Sequence, residues 1–177
     1  MTLTVDPSGK LPVTFYRNEA LDKMPAFTDY SMKGRTYRYM EQEALYPFGY
    51  GLSYTTFRYD DLKIEKTEDT VEVEVCVTNT GSVASDEVAE LYLQHESPNT
   101  TTPRWSLKGF KRITLAPGES KQVHFVLRPQ DLWTVQDDGS RSLEPGRYMV
   151  YVGGGQPDAR TQALQGQAPL STEFYMD

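Results

Sequence analysis

Along TVEVEVCVTNTG (residues 70–81) apolar and polar positions alternate one for one. Val71, Val73, Val75 and Val77 fall on one side, and Glu72, Glu74, Cys76 and Thr78 on the other. A period of two is the signature of a β-strand with one face in a core and the other wet. EVAELYLQ repeats it with Ala89, Leu91 and Leu93 together, SKQVHFVLRP with Val123, Phe125 and Leu127, and GRYMVYVGG with Tyr148, Val150 and Val152; STEFY supplies a closing strand. Turn signals separate these runs: Asn79-Thr80-Gly81, Ala116-Pro117-Gly118-Glu119, Asp137-Asp138-Gly139 and Glu144-Pro145-Gly146. Helical periodicity is weak, with a turn at Pro129–Trp133 as its best candidate. Residues 57–177 therefore read as an all-β, antiparallel β-sandwich of the fibronectin type III or immunoglobulin-like kind. The chain's one cysteine rules out the Cys…Trp…Cys spacing of an antibody-type domain.

Residues 1–56 follow another pattern. LPVTFY reads as a short strand, but Pro7, Pro12, Pro25 and Pro47 interrupt any long element. Seven of the twelve tyrosines fall here, too many rings for ordinary disorder. In LYPFGYGLSYTTF (residues 45–57), Phe48, Tyr50, Tyr54 and Phe57 surround Gly49 and Gly51. Rings supply buried area, hydroxyls find partners, and glycines let the backbone come close to a surface. The segment is expected to be an extended, ordered strap that leads into the sandwich and packs against a body.

Charge narrows the function classes. The net charge is −7, which argues against nucleic acid or an anionic membrane as partner. Residues 1–56 hold six basic and six acidic side chains, so the whole deficit falls in residues 57–177. No run approaches the roughly 20 apolar residues of a membrane helix, and MTLTVDPSGK has neither the basic start nor the apolar core of a signal peptide. No metal or cofactor pattern stands out. His124 shares a polar strand face with Gln122, and Ser8-Gly9-Lys10 lacks the glycine spacing of a phosphate loop. Asp60/Asp61 and Asp137/Asp138 are neighbours in sequence and read as solvated acids, not as a catalytic pair. The loop SPNTTTPRWSL (97–107) is where carbohydrate contact is conceivable, through Trp105 beside Arg104, although Trp105 also reads as a cap on the sandwich edge. Trp133 reads as a core plug.

Six ordered blocks carry a resemblance: PSGKLPVTF (7–15), YSMKGRTYRY (30–39), LYPFGYGLSYTTF (45–57), VTNTGSVASDEVAELYL (77–93), LKGFKRITLAPGES (107–120) and EPGRYMVYVGG (144–154). Together they resemble the C-terminal part of glycoside hydrolase family 3, the β-glucosidases and β-xylosidases. The resemblance implies that residues up to about 15 end that family's α/β sandwich domain, that about 16–56 form its linker, and that the rest is its fibronectin type III-like domain. The family's nucleophile, in a Ser-Asp-Trp or similar motif, and its acid/base have no counterpart in this sequence. Retaining glycoside hydrolysis needs two carboxylates about 5–5.5 Å apart, and no catalytic residue is carried over. GRTYRY (34–39) leans towards the xylosidase members.

The expectation is an accessory region of a hydrolase acting on β-xylosides or β-glucosides, inactive alone. Its partners would be the catalytic domains, in cis or on another chain, and an oligosaccharide; residues 1–56 would favour self-association. The alternatives are a stand-alone carbohydrate-binding module and one half of a split β-glycosidase. Parent-type enzymes are often secreted or periplasmic, which does not fix where this chain resides.

Overall fold

A computed structural model describes residues 6–177. Nine strands form in chain order: β1 (Phe57–Lys66), β2 (Val71–Asn79), β3 (Ser85–His95), β4 (Ser106–Leu115), β5 (Ser120–Leu127), β6 (Thr134–Val135), β7 (Arg141–Ser142), β8 (Gly146–Gly153) and β9 (Leu170–Met176). One sheet runs β1-β2-β5 and a second runs β4-β3-β8-β9, with every pairing antiparallel; β6 and β7 make a small hairpin apart. The chain changes sheet between β2 and β3, between β4 and β5, and between β5 and β8. Two sheets joined in this way form a fibronectin type III-like β-sandwich.

The alternation decides the core. Val73, Val75 and Val77 of β2 are fully buried, as are Ala89 and Leu91 of β3 and Tyr148, Val150 and Val152 of β8. Val123, Phe125 and Leu127 of β5 join them. Burying each such side chain stabilises the fold by about 2 kcal/mol before the entropy of ordering it is counted. In β1 the register slips at a bulge between Asp60 and Lys63, where Asp61 takes φ +54 and turns out to solvent.

Three short helices interrupt the pattern: α1 (Asn18–Leu21), α2 (Thr36–Tyr39) and α3 (Ala159–Gln165). The sequence reading missed α3 because seven residues hold too few turns to establish a period. Its ends, however, are marked: Asp158 Oδ1 accepts from Thr161 N at 2.7 Å, and Gly166 closes the helix in the left-handed conformation. The strand expected over LPVTFY shrinks to one antiparallel bridge, Phe15 to Tyr46. Pro12 removes a donor there, and the remaining bonds fall in two separate groups, Leu11 with Tyr50 and Gly49 (2.9 and 2.8 Å) and Phe15 with Leu45 and Tyr46 (2.8 to 3.3 Å), which do not join into a ladder.

Candidate functional site

The seam between the strap and β3 holds one of two clusters of buried titratable groups among the described residues. On β3 the residues of even number should face water, yet Glu90 (4 % exposed) and Tyr92 (fully buried) do not. The strap covers them. Tyr37 stacks on Phe48 with centroids 4.3 Å apart, and both rings meet Tyr92 edge-on, at 6.1 and 6.5 Å. The Tyr92 hydroxyl donates to Glu90 Oε2 at 2.6 Å. Gly49 passes directly over this pair: a Cβ there would stand 2.2 Å from Glu90 Oε2.

Glu87 sits on the core face of the same strand, one step beyond Ala89. Its Oε1 accepts from Tyr59 Oη at 2.7 Å and from Lys10 Nζ at 3.3 Å, and Lys10 also donates to Gly154 O at 2.8 Å. Lys10 thus runs from the strap into the end of the sandwich and closes it with a nearly buried ion pair. Burial pushes the Glu90 carboxyl up, while the Tyr92 hydroxyl and Lys10 pull it down. Burial also raises the Tyr59 and Tyr92 phenols, so both remain hydroxyl donors. Further out, Asp6 anchors the strap by accepting from Ser53 Oγ (2.7 Å), Ser85 Oγ and Tyr54 N.

In chemical terms this seam is a clasp. Glu87 Oε1 is committed to Lys10 and Tyr59, and Glu90 Oε2 to the Tyr92 hydroxyl beneath Gly49. The sequence reading missed both glutamates. Glu87 was recoverable, since a charge on the core parity of an apolar strand demands a partner; Glu90 was not, because its parity is that of a wet face.

Among the acids singled out from sequence, three have local partners. Asp60 pairs with Arg58 on β1, Asp137 accepts from Thr100 Oγ1 at 2.7 Å, and Asp138 accepts from Ser140 N at 2.9 Å within its own turn. His124 meets Glu72 Oε2 across the sheet at 3.2 Å. Among the described residues no group of three or more His, Cys, Asp or Glu side chains could hold a metal ion, and no helix is long and apolar enough to cross a membrane.

Trp105 is 8 % exposed. The Arg104 guanidinium lies 4.4 Å from its ring centroid and also donates to Met40 O, while Arg104 N donates to Arg38 O at 2.7 Å. Arg104 and Trp105 thereby join the loop before β4 to the strap around α2. Trp133 corrects the core-plug expectation. It is 43 % exposed, and its neighbour Leu132, at 4 %, fills the core instead.

A sandwich of this topology is a fibronectin type III-like domain, and residues 87–156 match that domain family. The chain is 40% identical over 169 residues to a putative beta-xylosidase of Formosa agariphila, covering 91% of this chain and 22% of that protein. It is 36% identical over 164 residues to a periplasmic beta-glucosidase of Salmonella typhimurium, covering 84% of this chain and 21% of that protein. Beta-glucosidase 3B of Thermotoga neapolitana, solved with alpha-D-glucose, superposes with a TM-score of 0.80 at 32% identity, covering 96% of this chain and 24% of that one. The chain is a C-terminal part of glycoside hydrolase family 3. It spans about a fifth of the length of the curated relatives it matches.

Proposed function

We propose that the chain is the accessory C-terminal region of a larger family 3 hydrolase acting on β-xylosides or β-glucosides. In this reading residues 1–56 are the tail of the α/β domain with its linker strap, residues 57–177 are the sandwich, and the catalytic carboxylates reside in domains beyond this sequence. One observation carries the reading: the strap is clasped to the sandwich yet leaves many large apolar side chains bare. Lys10, Tyr37, Phe48 and Gly49 face the sandwich, whereas Val13, Phe15, Leu21, Phe27, Tyr30, Leu45, Tyr46 and Leu52 stand exposed. Exposed large apolar side chains concentrated in one segment in this way normally meet another body. The named relatives, a putative beta-xylosidase and a periplasmic beta-glucosidase roughly four to five times longer, support this choice of body and of substrate class.

The test is hydrolysis of chromogenic β-xyloside and β-glucoside by the purified chain, its mass verified to exclude a full-length contaminant. No turnover is expected. Fusing the chain to a family 3 enzyme stripped of the matching region should restore that enzyme's stability and activity. Turnover by the chain alone would overturn the reading.

Carbohydrate contact through Trp105 and Arg104 belongs to the alternative reading, a stand-alone binding module. It requires Arg104 to leave the indole face and give up its bond to Met40 O. If Trp105→Ala abolished glycan retention on an affinity gel, that reading would gain; unchanged or absent retention would end it.

A further inference from the structure

The exposed tryptophan of this protein is not the one in the loop before β4. Trp133 follows the 3₁₀ turn Pro129–Asp131, which is closed by Leu132 N to Pro129 O (3.1 Å) and Arg128 N to Asp131 Oδ2 (2.9 Å). Leu132 anchors the turn in the core, so the indole is presented on a short, fixed support. It borders a groove of about 170 Å³, with Tyr39 and Arg38 of α2 from the strap, Ser106 and Lys108 of β4, and Asp131.

The polar groups around the ring are of mixed sign. Arg38 donates to Ser106 Oγ at 3.3 Å and keeps further N–H donors. Burial lowers the Lys108 ammonium, Asp131 opposes that shift and Arg38 adds to it. A small anion would meet the Asp131 carboxylate, and a cation would meet Arg38 and Lys108. A neutral polyhydroxylated ring leaves no charge uncompensated. Its apolar face suits the indole, its hydroxyls donate to Asp131, and they accept from Arg38 and Lys108.

We propose that this groove binds one pyranose unit of a neutral oligosaccharide, stacked on Trp133. The site joins the strap to the sandwich and depends neither on the catalytic domains nor on the accessory-region reading, since it requires no turnover.

The experiment uses the full 177-residue chain and its two indole N–H signals, with xylotriose and cellotriose as probes. The Trp133 signal should shift saturably with a Kd on the order of 1 mM, while Trp105 stays in place as an internal control. Trp133→Ala should weaken binding at least about tenfold, with the methyl signals of Val73 and Val75 unmoved as proof that the core persists. If that variant fails to fold, Lys108→Met provides the second reading: the same probes should bind more weakly on an unchanged Trp133 support. Three results would overturn the proposal: no saturable shift with either sugar, a shift confined to Trp105, or displacement of the sugar by inorganic phosphate, which would make the groove an anion site.

Discussion

Gly49 combines two constraints that are usually met separately. Its φ is +78, and the space for a Cβ is occupied by Glu90 Oε2 and the Tyr92 hydroxyl. Gly118 shares the first constraint, with φ +75, but has nothing within 4 Å of a built Cβ. Gly118→Ala should therefore cost about 1 kcal/mol from backbone strain alone. Gly49→Ala should cost about 2–4 kcal/mol, because strain and overpacking add. Urea unfolding of the two variants separates close approach from conformation, and equal losses would mean that the strap lifts off easily. Lys10 makes the complementary case. Lys10→Met strands Glu87 as a nearly buried carboxylate with only Tyr59 as donor, and should destabilise by about 3 kcal/mol. Adding Glu87→Gln to Lys10→Met should recover much of that loss in the same unfolding measurement, since the stranded charge is gone.

At the scale of elements, the sandwich was legible because a strand buried on one face writes its period into the sequence. β2 and β5 show it plainly, with Val73, Val75, Val123 and Phe125 inward and Glu72, Glu74, Gln122 and His124 outward. The seam was not legible, since it is made where that period is broken. Tyr92 and Glu90 have the parity of wet positions, and only a segment more than forty residues upstream makes them dry. The far end of the sandwich has a cluster of its own. The Glu144 carboxyl, just before β8, is held down to about 2 by hydrogen bonds from Ser97, Gln136, Asn99 and His95, against the opposing effect of burial. Gln136 Nε2 donates to it at 2.8 Å, tying the β6–β7 hairpin to β8. A carboxyl lowered in the folded state contributes stability that is fully present above its unfolded value and is lost as pH falls through the folded one. Stability should thus decline from about pH 4.5 towards about pH 2, with Asp6 and Asp86, both also lowered, acting in the same direction. Glu90, raised by burial, acts oppositely. Glu144→Gln should flatten the slope of unfolding free energy against pH in that window; an unchanged slope would assign the acid sensitivity to the other carboxyls.

The whole molecule is lopsided in what it shows to solvent. Of its seventeen exposed large hydrophobic residues, ten lie between Val13 and Tyr54 and seven in the far longer remainder, counted over the described residues. Those ten are not loose ends. Arg35 donates to Pro25 O and Ala26 O, both at 2.9 Å, and Tyr46 stacks on Tyr50 at 5.6 Å, so the apolar side is displayed on an ordered backbone. An ordered apolar surface left exposed to water lowers its free energy by finding another of its kind. The isolated chain should therefore associate with itself reversibly, with a sedimentation coefficient that rises with concentration. Replacing Leu21, Phe27 and Leu45 together by serine should abolish the rise while leaving the unfolding midpoint nearly unchanged, because these side chains are exposed in the fold and contribute little to its core. Joining the chain to the domains proposed to precede it should abolish self-association without any substitution. If the isolated chain sediments as a monomer at every concentration, the bare side of the strap is not a docking surface, and the case for missing domains would rest on likeness to its relatives alone.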